Sequence, residues 1–346
     1  MNWRVEPVEL ALDVPFTIAR GTTTTTENVV VELEHGGETG YGAAAPAAHY
    51  GETAATVKAL LPDLLAAAEA VGDPHARREI AERMRSVARG NPAARAAVDV
   101  ALWDLAGELL ETPVYRLLGL SADPDRRPAT CFTVGIAEPA VMQRRAREAI
   151  EAGYPALKLK LGTDRDRRIV EAVRAVAPDV RIRVDANEAW TPKEAVAHCE
   201  ALAEYGVEFV EQPVPAENPE GLRYVHERSP LPIAADESCR TAADVPAVAD
   251  RCDIANLKLM KTGGLTPAVE LVHAARAHGL EVMCGCMLET NAAIAGAAHL
   301  LPLLDYADLD GSLLLEADPY DGVDLTGGGI GLKGATRTGT GARSTE

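Results

Sequence analysis

Five charged residues recur at nearly constant intervals in the C-terminal two thirds of the chain. They are Lys160, Asp185, Glu211, Asp236 and Lys258, and the intervals between them are 25, 26, 25 and 22 residues. Each lies in or directly after a short apolar run, and such an interval is the length of one strand, one helix and their loops. The pattern therefore predicts polar side chains at the carboxyl ends of successive strands of a parallel barrel, where barrel active sites lie.

The three acids of this series predict a metal site. Asp185, Glu211 and Asp236 would converge at the barrel mouth, and three carboxylates do not all stay ionised at close range without a cation. Oxygen ligands without histidine or thiolate favour a hard ion, so we expect Mg2+, with Mn2+ able to replace it. Acids paired with arginines at the barrel mouth are the structural alternative.

The two lysines of the series predict acid/base chemistry. The chain has seven lysines against 27 arginines, and four of the seven lie in two strand segments, as Lys158, Lys160, Lys258 and Lys261. An ammonium can be tuned to lose its proton, whereas a guanidinium stays charged. Lys158 and Lys160 share one face of a strand, so each is expected to lower the pKa of the other. Lys261 is predicted to lie in the loop beyond Lys258.

The opposite placement of two lysines suggests a reaction. Lys160 would end the second strand and Lys258 the sixth, which are opposite each other in a ring of eight. A substrate whose carboxylate binds the metal would have one lysine on each side of its α-carbon. Removal of the α-proton by one lysine and its return by the other inverts that carbon through an enediolate.

The elements around these residues predict an α/β fold, a (β/α)8 barrel with an N-terminal α+β capping domain. We expect the cap at residues 1–120, the barrel at 121–315 and a C-terminal segment at 316–346. In the cap, strands are predicted at 5–12 and 28–33 and helices at 54–70, 76–89 and 92–110. The eight strand-like runs of the barrel are 131–136, 156–161, 181–187, 208–214, 233–238, 255–260, 281–287 and 306–311. The polar series continues through the last two runs as Cys284 and Asp308.

Five motifs resemble the enolase superfamily, muconate-lactonizing subgroup. They are KLKLG (158–162), VDANEAW (184–190), EQPV (211–214), ADES (235–238) and NLKLMKTGG (256–264). The resemblance implies a modified barrel whose C-terminal segment returns to the cap. It also implies that the three acids bind Mg2+, that Lys160 and Lys258 are the acid/base pair, and that Lys158 holds the substrate carboxylate and lowers the pKa of Lys160.

The eighth run narrows the expected reaction. Asp308 and Asp310 in ADLDG would share one strand face, and this DxD pair resembles the dipeptide epimerases, where it receives the α-ammonium of the substrate. The resemblance implies epimerisation of a dipeptide at the α-carbon of its C-terminal residue. A structural turn is the alternative interpretation of the two aspartates. Thr133, in the first run, is a further candidate for substrate binding.

Two cap segments, PFTIARG (15–21) and YGET (50–53), resemble the capping loop of the same enzymes. Alanyl-glutamate epimerases place an arginine in this loop for the glutamate side chain. Here the tract after Gly21 is Thr22–Thr26, which leaves Arg20 as the nearby candidate for substrate binding. Arg20 as a structural part of the loop is the alternative, and the sequence does not favour a glutamate substrate.

Three competing functions remain open on the sequence. The first is another reaction of the same scaffold, by an N-acylamino acid racemase, an o-succinylbenzoate synthase or a cycloisomerase. The second is a Schiff-base enzyme that uses Lys160 or Lys258 as nucleophile, which has no need of three metal acids. The third is a barrel retained only for binding or structure.

Composition limits the partners. The net charge of −18 disfavours nucleic acid and anionic membranes, and the longest apolar run, 292–304, is shorter than the roughly 20 residues that span a bilayer. The first residues lack the pattern of a secretory signal, so we expect a cytoplasmic location. A homo-oligomer is a separate expectation. GIGLKG (329–334) matches GxGxxG but follows no predicted strand, and Cys284 and Cys286 are expected on one strand face as buried thiols.

Overall fold

The computed structural model describes residues 1–121, 123, 128–331 and 337–345. The chain begins with a three-stranded antiparallel sheet, formed by β1 (Asn2–Ile18), β2 (Gly21–His35) and β3 (Glu38–Ala44). Four helices follow: α1 (Ala54–Val71), α2 (Arg77–Val87), α3 (Pro92–Leu109) and α4 (Val114–Leu117). The three longer helices lie where the helical periodicity predicts them.

The β1–β2 hairpin is much longer than the strands predicted at 5–12 and 28–33. Its strands pair from Asn2 with Glu34 to Ile18 with Gly21, with an irregularity between Ala11 and Phe16. The outer half of the hairpin is largely exposed and carries a threonine tract instead of alternating apolar residues, so it lacks the pattern that marks a strand over a core. This extension carries the hairpin tip to the barrel.

Helix α3 joins the cap to the barrel. It packs on β3 on one side and on barrel helices on the other, and it is buried over most of its length. Gly40 and Gly42 of β3 permit the close approach, because a Cβ at these positions would lie 2.4 Å from the Ala101 carbonyl oxygen and 2.2 Å from the Ala97 carbonyl oxygen.

Eight parallel strands form the barrel in the order of the sequence. They are β4 (Phe132–Val134), β5 (Ala156–Lys160), β6 (Arg181–Asp185), β7 (Val207–Glu211), β8 (Ile233–Ala235), β9 (Ile254–Leu257), β10 (Glu281–Gly285) and β11 (Tyr306–Asp308). A bridge between Thr130, just before β4, and Ala307 of β11 closes the ring. The predicted fold class, a modified (β/α)8 barrel with an α+β cap, is confirmed.

The helices between the strands lie on the outside of the ring. They are α5 (Pro139–Glu151), α6 (Asp166–Arg174), α7 (Pro192–Ala203), α8 (Pro219–His226), α9 (Val245–Val248), α10 (Leu259–Thr262), α11 (Leu265–Ala277) and α12 (Asn291–Ala298). Local sequence determines where several of these helices begin. In the capping box of α7, for example, the side chains of Thr191 and Glu194 each accept a hydrogen bond from the backbone N–H of the other residue. Among the described residues, none of the helices is long and apolar enough to cross a bilayer.

The segment after β11 departs from the regular alternation. In the described part of the chain it contains short 3-10 turns and one antiparallel pair of strands, β12 (Tyr320–Asp321) with β13 (Arg343–Ser344), but no α-helix. Leu315 bridges to Leu12 of β1, and Thr340 donates two hydrogen bonds to Asp104 of α3. The segment therefore contacts the cap, while the boundaries at residues 120 and 315 stay predictions. Residues 332–334 of GIGLKG lie outside the described residues.

Candidate active site

The strand ends bring the acids and lysines together as the spacing predicts. Lys160 pairs in register with Asp185, and Asp185 with Glu211, so the three side chains stand side by side on β5, β6 and β7. Asp236 follows β8 directly, and Lys258 directly follows β9. Since β5 and β9 are four strands apart in a ring of eight, Lys160 and Lys258 lie on opposite sides of the mouth.

Lysine ammoniums contact each of the three acids. Lys160 Nζ lies 2.6 Å from Asp185 Oδ2, and Lys258 Nζ lies 2.7 Å from Asp236 Oδ2. Lys158 Nζ lies at the centre, 2.8 Å from Glu211 Oε2 and 3.3 Å from Asp185 Oδ2. One ammonium within 3.3 Å of oxygens from two acids shows that those oxygens are close enough to share a single cation.

The other oxygen of each acid, the one that does not contact Lys158, Lys160 or Lys258, accepts a hydrogen bond from a second donor. The donors are the Asn187 backbone N–H to Asp185 Oδ1 at 2.9 Å, the Asn256 amide to Glu211 Oε1 at 2.8 Å, and the Lys261 ammonium to Asp236 Oδ1 at 2.6 Å. These bonds fix the orientation of all three carboxylates. We refer to the three acids with Lys158, Lys160, Lys258 and Lys261 as the acid–lysine cluster.

Electrostatics in the cluster follow from burial and from these contacts. Burial and the neighbouring Asp185 carboxylate raise the pKa of Glu211 to about 7. Burial alone would also raise the pKa of Asp185, but Lys160 and Lys158 outweigh it and hold that pKa below its usual value. Burial favours loss of the proton from Lys258, whereas Asp236 holds the pKa of Lys258 well above its usual value. A cation that offsets the charge of Asp236 therefore lowers the pKa of Lys258 and favours its neutral amine, the form that accepts a proton.

The sequence predicts a lowered pKa for Lys158, and this prediction is wrong. Burial does favour the neutral amine, but Asp308, Glu211 and Asp185 surround the ammonium and raise the pKa of Lys158 well above its usual value. Carboxylates from other strands thus outweigh the neighbouring lysine, and strand alternation alone does not reveal them.

A cavity of ≈ 480 Å3 lies between the cluster and the cap. The barrel contributes Lys158, Lys160 and Lys258, and the cap contributes Phe16, Ile18 and Thr23 among others. Phe16 pairs with Thr23 and Ile18 with Gly21 across the hairpin, so these residues share its cavity-facing side. We call Phe16, Ile18 and Thr23 the cap wall.

The hairpin tip is docked on the barrel mouth. The Ile136 N–H, just after β4, donates to the Thr17 carbonyl at 2.8 Å. Gly162, just after β5, has φ +114°, and a Cβ there would lie 2.8 Å from the Ala19 Cβ. Glycine at this position therefore lets the tip of the cap reach the ends of the first two barrel strands.

Arg20, at the hairpin tip, lines the cavity but is engaged with the barrel. Its guanidinium donates to Glu188 Oε2 at 3.0 Å, to Glu237 Oε1 at 2.8 Å and to the Asn187 carbonyl at 3.1 Å. His49, which directly precedes the second cap segment, has its Nε2 atom 3.1 Å from the same Glu188 oxygen. Arg20 thus joins the hairpin to loops after β6 and β8, which agrees with the structural interpretation of this residue.

Asp308 and Asp310 both line the cavity, with Thr133 between them. The Thr133 hydroxyl lies 3.2 Å from an oxygen of each aspartate, and the Thr133 N–H donates to Asp310 Oδ2 at 2.5 Å. Asp308 also accepts from Lys158, which holds the pKa of Asp308 below its usual value although burial opposes this. Burial and the Asp308 carboxylate raise the pKa of Asp310 to about 7, so this pair favours a cationic ligand.

Lys261 and Asn256 are site residues that the sequence interpretation missed or misplaced. Lys261 lies in helix α10, not in a loop, and it is 2% exposed. A helical turn after Lys258 returns a side chain three residues later to the strand end, and this spacing was a usable signal. Asn256 precedes Lys258 by two residues, which places both on one strand face.

The seventh strand differs from its predicted alignment. Gly285, not Cys284, faces the barrel interior, where a Cβ at Gly285 would lie 3.0 Å from the Lys258 Cε atom. Cys284 packs in the outer core, whereas Cys286 lines the cavity, so the two thiols do not share a face as expected. Both are free cysteines. The absence of a side chain at Gly285 leaves room for Lys258.

Many known proteins are similar to this chain in sequence and in fold. The chain matches the family model for the mandelate racemase / muconate lactonizing enzyme N-terminal domain over residues 2–119, and that for the enolase C-terminal domain-like family over residues 141–326. It is 40% identical to the L-Ala-D/L-Glu epimerase of Bacteroides thetaiotaomicron, over 94% of this chain and 84% of that one. It is 39% identical to the hydrophobic dipeptide epimerase of Enterococcus faecalis, over 92% of both chains.

Solved structures show the same similarity. The Enterococcus faecalis dipeptide epimerase, complexed with Mg and L-Leu-L-Tyr, superposes with a TM-score of 0.92 at 37% identity and 98% coverage of both chains. The N-succinyl Arg/Lys racemase of Bacillus cereus superposes with a TM-score of 0.91 at 27% identity, over 99% of this chain and 95% of that one. The chain therefore belongs to the enolase superfamily, in the mandelate racemase and muconate lactonizing enzyme family.

Proposed function

We propose that the protein is an Mg2+-dependent isomerase that epimerises a dipeptide at the α-carbon of its C-terminal residue. The observation that carries the proposal is the placement of Lys160 and Lys258 on opposite sides of one cavity, with three buried acids on the strands between them. The dipeptide epimerases among the similar proteins support the same reaction.

The acids suit a hard divalent ion. Asp185, Glu211 and Asp236 supply oxygen ligands only, and each carboxylate is oriented by a hydrogen bond to one of its two oxygens. Oxygens of Asp185 and Glu211 both lie within 3.3 Å of the Lys158 ammonium, so those two can contact one cation. We assign them as the residues that hold Mg2+, for which Mn2+ is a chemical substitute. The ion, when bound, stabilises negative charge that develops on the substrate carboxylate.

The two lysines move the proton. Lys160 faces one side of the substrate α-carbon and Lys258 the other. One amine accepts the α-proton as the C–H bond breaks, and the electron pair moves into the carboxylate to form an enediolate. The opposite ammonium then donates a proton to the other face of the carbon, which inverts its configuration. Lys158, whose ammonium lies 2.6 Å from Asp308, contacts the substrate carboxylate as a cation and does not act as a base.

The acidic pair on the eighth strand receives the N-terminal ammonium of the dipeptide. Asp308 and Asp310 line the end of the cavity near Lys158, and Thr133 holds both of them in place. A free α-ammonium satisfies two buried acids, whereas an N-acyl group brings no charge to them. This contrast favours a dipeptide over the N-acylamino acid substrate of a related racemase.

The cap wall favours an uncharged side chain on the C-terminal residue. Phe16 and Ile18 are apolar and Thr23 offers a hydroxyl, while the charge of Arg20 is offset by Glu188 and Glu237. An acidic side chain buried here would lack a free cation, and burying an unpaired charge is costly. The substrate class is therefore a dipeptide with an aliphatic, aromatic or hydroxyl C-terminal side chain. The homo-oligomeric state and the cytoplasmic location stay predictions.

The test is a mass-spectrometric screen of L,L-dipeptides in D2O that detects deuterium at the α-carbon. We expect exchange with L-Ala-L-Leu, loss of exchange on chelation and recovery with Mg2+. N-acetyl-L-Ala-L-Leu should react at least ten times more slowly, in line with one lost charge-assisted contact of about 1.5–3 kcal/mol. Equal or faster exchange with the acylated form would identify an N-acylamino acid enzyme. Activity that survives chelation but is trapped by borohydride would identify a Schiff-base enzyme.

A further inference from the structure

Each acid of the acid–lysine cluster divides its oxygens between two kinds of partner. One oxygen contacts a lysine that lines the cavity, and the other accepts from a donor fixed by the fold. That second donor is neutral for Asp185 and Glu211, namely a backbone N–H and the Asn256 amide. For Asp236 alone it is a full positive charge, the Lys261 ammonium, at 2.6 Å.

Lys261 has no capacity left for substrate. Besides Asp236 Oδ1, its ammonium donates to the carbonyl oxygens of Asp236 at 2.6 Å, Asn256 at 2.7 Å and Cys239 at 3.0 Å. Four acceptors saturate three N–H groups, and Lys261 does not line the cavity. It therefore acts through Asp236, not on the reacting atoms.

We propose that Lys261 is a positioning residue that makes Asp236 a one-oxygen, weakened ligand of the metal. Its ammonium withholds Oδ1 and offsets part of the carboxylate charge, so that a bound cation keeps more of its own positive charge for the substrate. This inference rests on the metal site of the proposed function. It trades affinity for the metal against electrophilicity.

The proposal predicts effects of opposite sign on affinity and turnover. Lys261→Met removes a charge a few ångströms behind a ligand, so Mn2+ should bind tighter, on the order of tenfold. The same variant should turn over more slowly, on the order of tenfold, because Asp236 is free to rotate and the cation is less electrophilic. A residue that only supports the fold would weaken Mn2+ binding when replaced, as loss of such a partner usually does.

The experiment measures Mn2+ affinity by calorimetry and by electron paramagnetic resonance, together with kcat on L-Ala-L-Leu. Asn256→Leu is the matched control, since it removes the neutral donor behind Glu211 without changing charge, and it should not bind Mn2+ more tightly than the parent. Lys261→Arg keeps the charge and should retain the affinity of the parent. Lys261→Gln replaces the methionine variant if that one does not fold.

The outcomes separate this proposal from the function on which it rests. If the parent binds no Mn2+, the metal assignment itself fails. If the parent binds Mn2+ and the neutral Lys261 variants bind it equally or more weakly, the tuning role is overturned. Failure of every neutral variant to fold would likewise overturn it, in favour of a purely structural role.

Discussion

On the barrel side of the cavity, four lysines and four carboxylates form two sets of ion pairs, with every contact at 3.3 Å or less. In one set Lys158 and Lys160 contact Asp185, Glu211 and Asp308, and in the other Lys258 and Lys261 contact Asp236. On the cap side, Phe16, Ile18 and Thr23 carry no charge. The barrel residues stand on strand ends whose register fixes them, whereas the cap wall stands on the tip of one hairpin. In the proposed function, the proton transfer is thus assigned to residues at barrel strand ends, and selection of the substrate side chain to the tip of the hairpin.

Substitutions in the acid–lysine cluster and in the cap wall have different energetic consequences. Removing one partner from a buried ion pair leaves an uncompensated charge, which costs about 3–5 kcal/mol. Changing the fit of an apolar side chain alters discrimination by only about 1–3 kcal/mol. Substitutions in the acid–lysine cluster should therefore act on every substrate, and those in the cap wall on the choice among substrates.

The largest effect is expected at the metal acids. Asp236→Asn leaves two ammoniums without their carboxylate and removes one ligand charge, so kcat/KM should fall by roughly a thousandfold or more as Mn2+ affinity is lost. Asp99→Asn is the control, because Asp99 is equally buried but lies in α3, where it accepts from the Thr266 N–H. Turnover by a metal-free preparation would contradict the assignment of these acids as ligands of a required metal ion.

A smaller loss is expected at the acidic pair. Asp310→Asn should reduce kcat/KM on L-Ala-L-Leu by about ten- to a hundredfold, the equivalent of about 1.5–3 kcal/mol for one charge-assisted hydrogen bond. Mn2+ affinity should stay unchanged, because Asp310 contacts none of the metal acids. Acetylation of the dipeptide should affect this variant much less than the parent, since both changes delete the same contact. If acetylation of the dipeptide lowered kcat/KM equally in the parent and in the variant, Asp310 would not be a contact of the substrate ammonium.

At the cap wall the expected change is in preference. Thr23→Arg adds a cation without a partner, so the kcat/KM ratio of L-Ala-L-Glu to L-Ala-L-Leu should rise by about tenfold. Thr25→Arg introduces the same side chain at an exposed position of the same strand that does not line the cavity, and it should leave the ratio unchanged. A parent enzyme that already prefers L-Ala-L-Glu would show that Arg20 is available to the substrate.

Away from the cavity, where the cap, the barrel and the C-terminal segment meet, the expected effect is on stability alone. His299 accepts from the Tyr115 N–H at 3.0 Å through Nδ1, which leaves Nε2 as the donor to the Thr340 carbonyl at 3.0 Å. Burial lowers the pKa of His299 to about 4. The unfolded chain, with a pKa near 6.5, binds this proton more readily, so the stabilisation is complete above about pH 6.5 and is lost as pH falls towards 4.

The measurement is urea unfolding of the parent and of His299→Asn between pH 7 and 4. The parent should lose about 3 kcal/mol more than the variant over that range. A difference between the two proteins is needed because burial raises the pKa of Asp104 to about 6, which acts in the opposite direction as pH changes. Parallel curves for the two proteins would show that His299 does not titrate in this range.

The same contrast explains what the sequence could predict. The acids and most of the lysines were found because a strand, a helix and their loops repeat with a nearly fixed length, and strand ends must meet at the barrel mouth. The seventh strand broke the rule, since its interior residue is Gly285, which has no side chain to recognise. The nearest polar residue, Cys284, points outwards.

Contacts between residues far apart in the chain produce no periodic pattern in the sequence, so they could not be predicted from it. The pairing of Lys158 with Asp308 joins strands separated by 150 residues, and it reverses the pKa shift expected from Lys160 alone. The outer half of the β1–β2 hairpin is exposed, so hydrophobic alternation could not mark it. The engagement of Arg20 with Glu188 and Glu237 likewise depends on where the hairpin tip docks, which is a property of the packed domains.

The central claim is that Lys160 and Lys258 act on opposite faces of one α-carbon, and it is tested most directly by deuterium exchange in the two single variants. Lys160→Ala and Lys258→Ala are incubated in D2O with L-Ala-L-Leu and separately with L-Ala-D-Leu, and α-deuterium is followed in each. We predict that each variant loses net epimerisation and still exchanges only one of the two epimers, with the opposite epimer for the other variant. Exchange of both epimers at the parent rate by either variant would contradict the two-base arrangement.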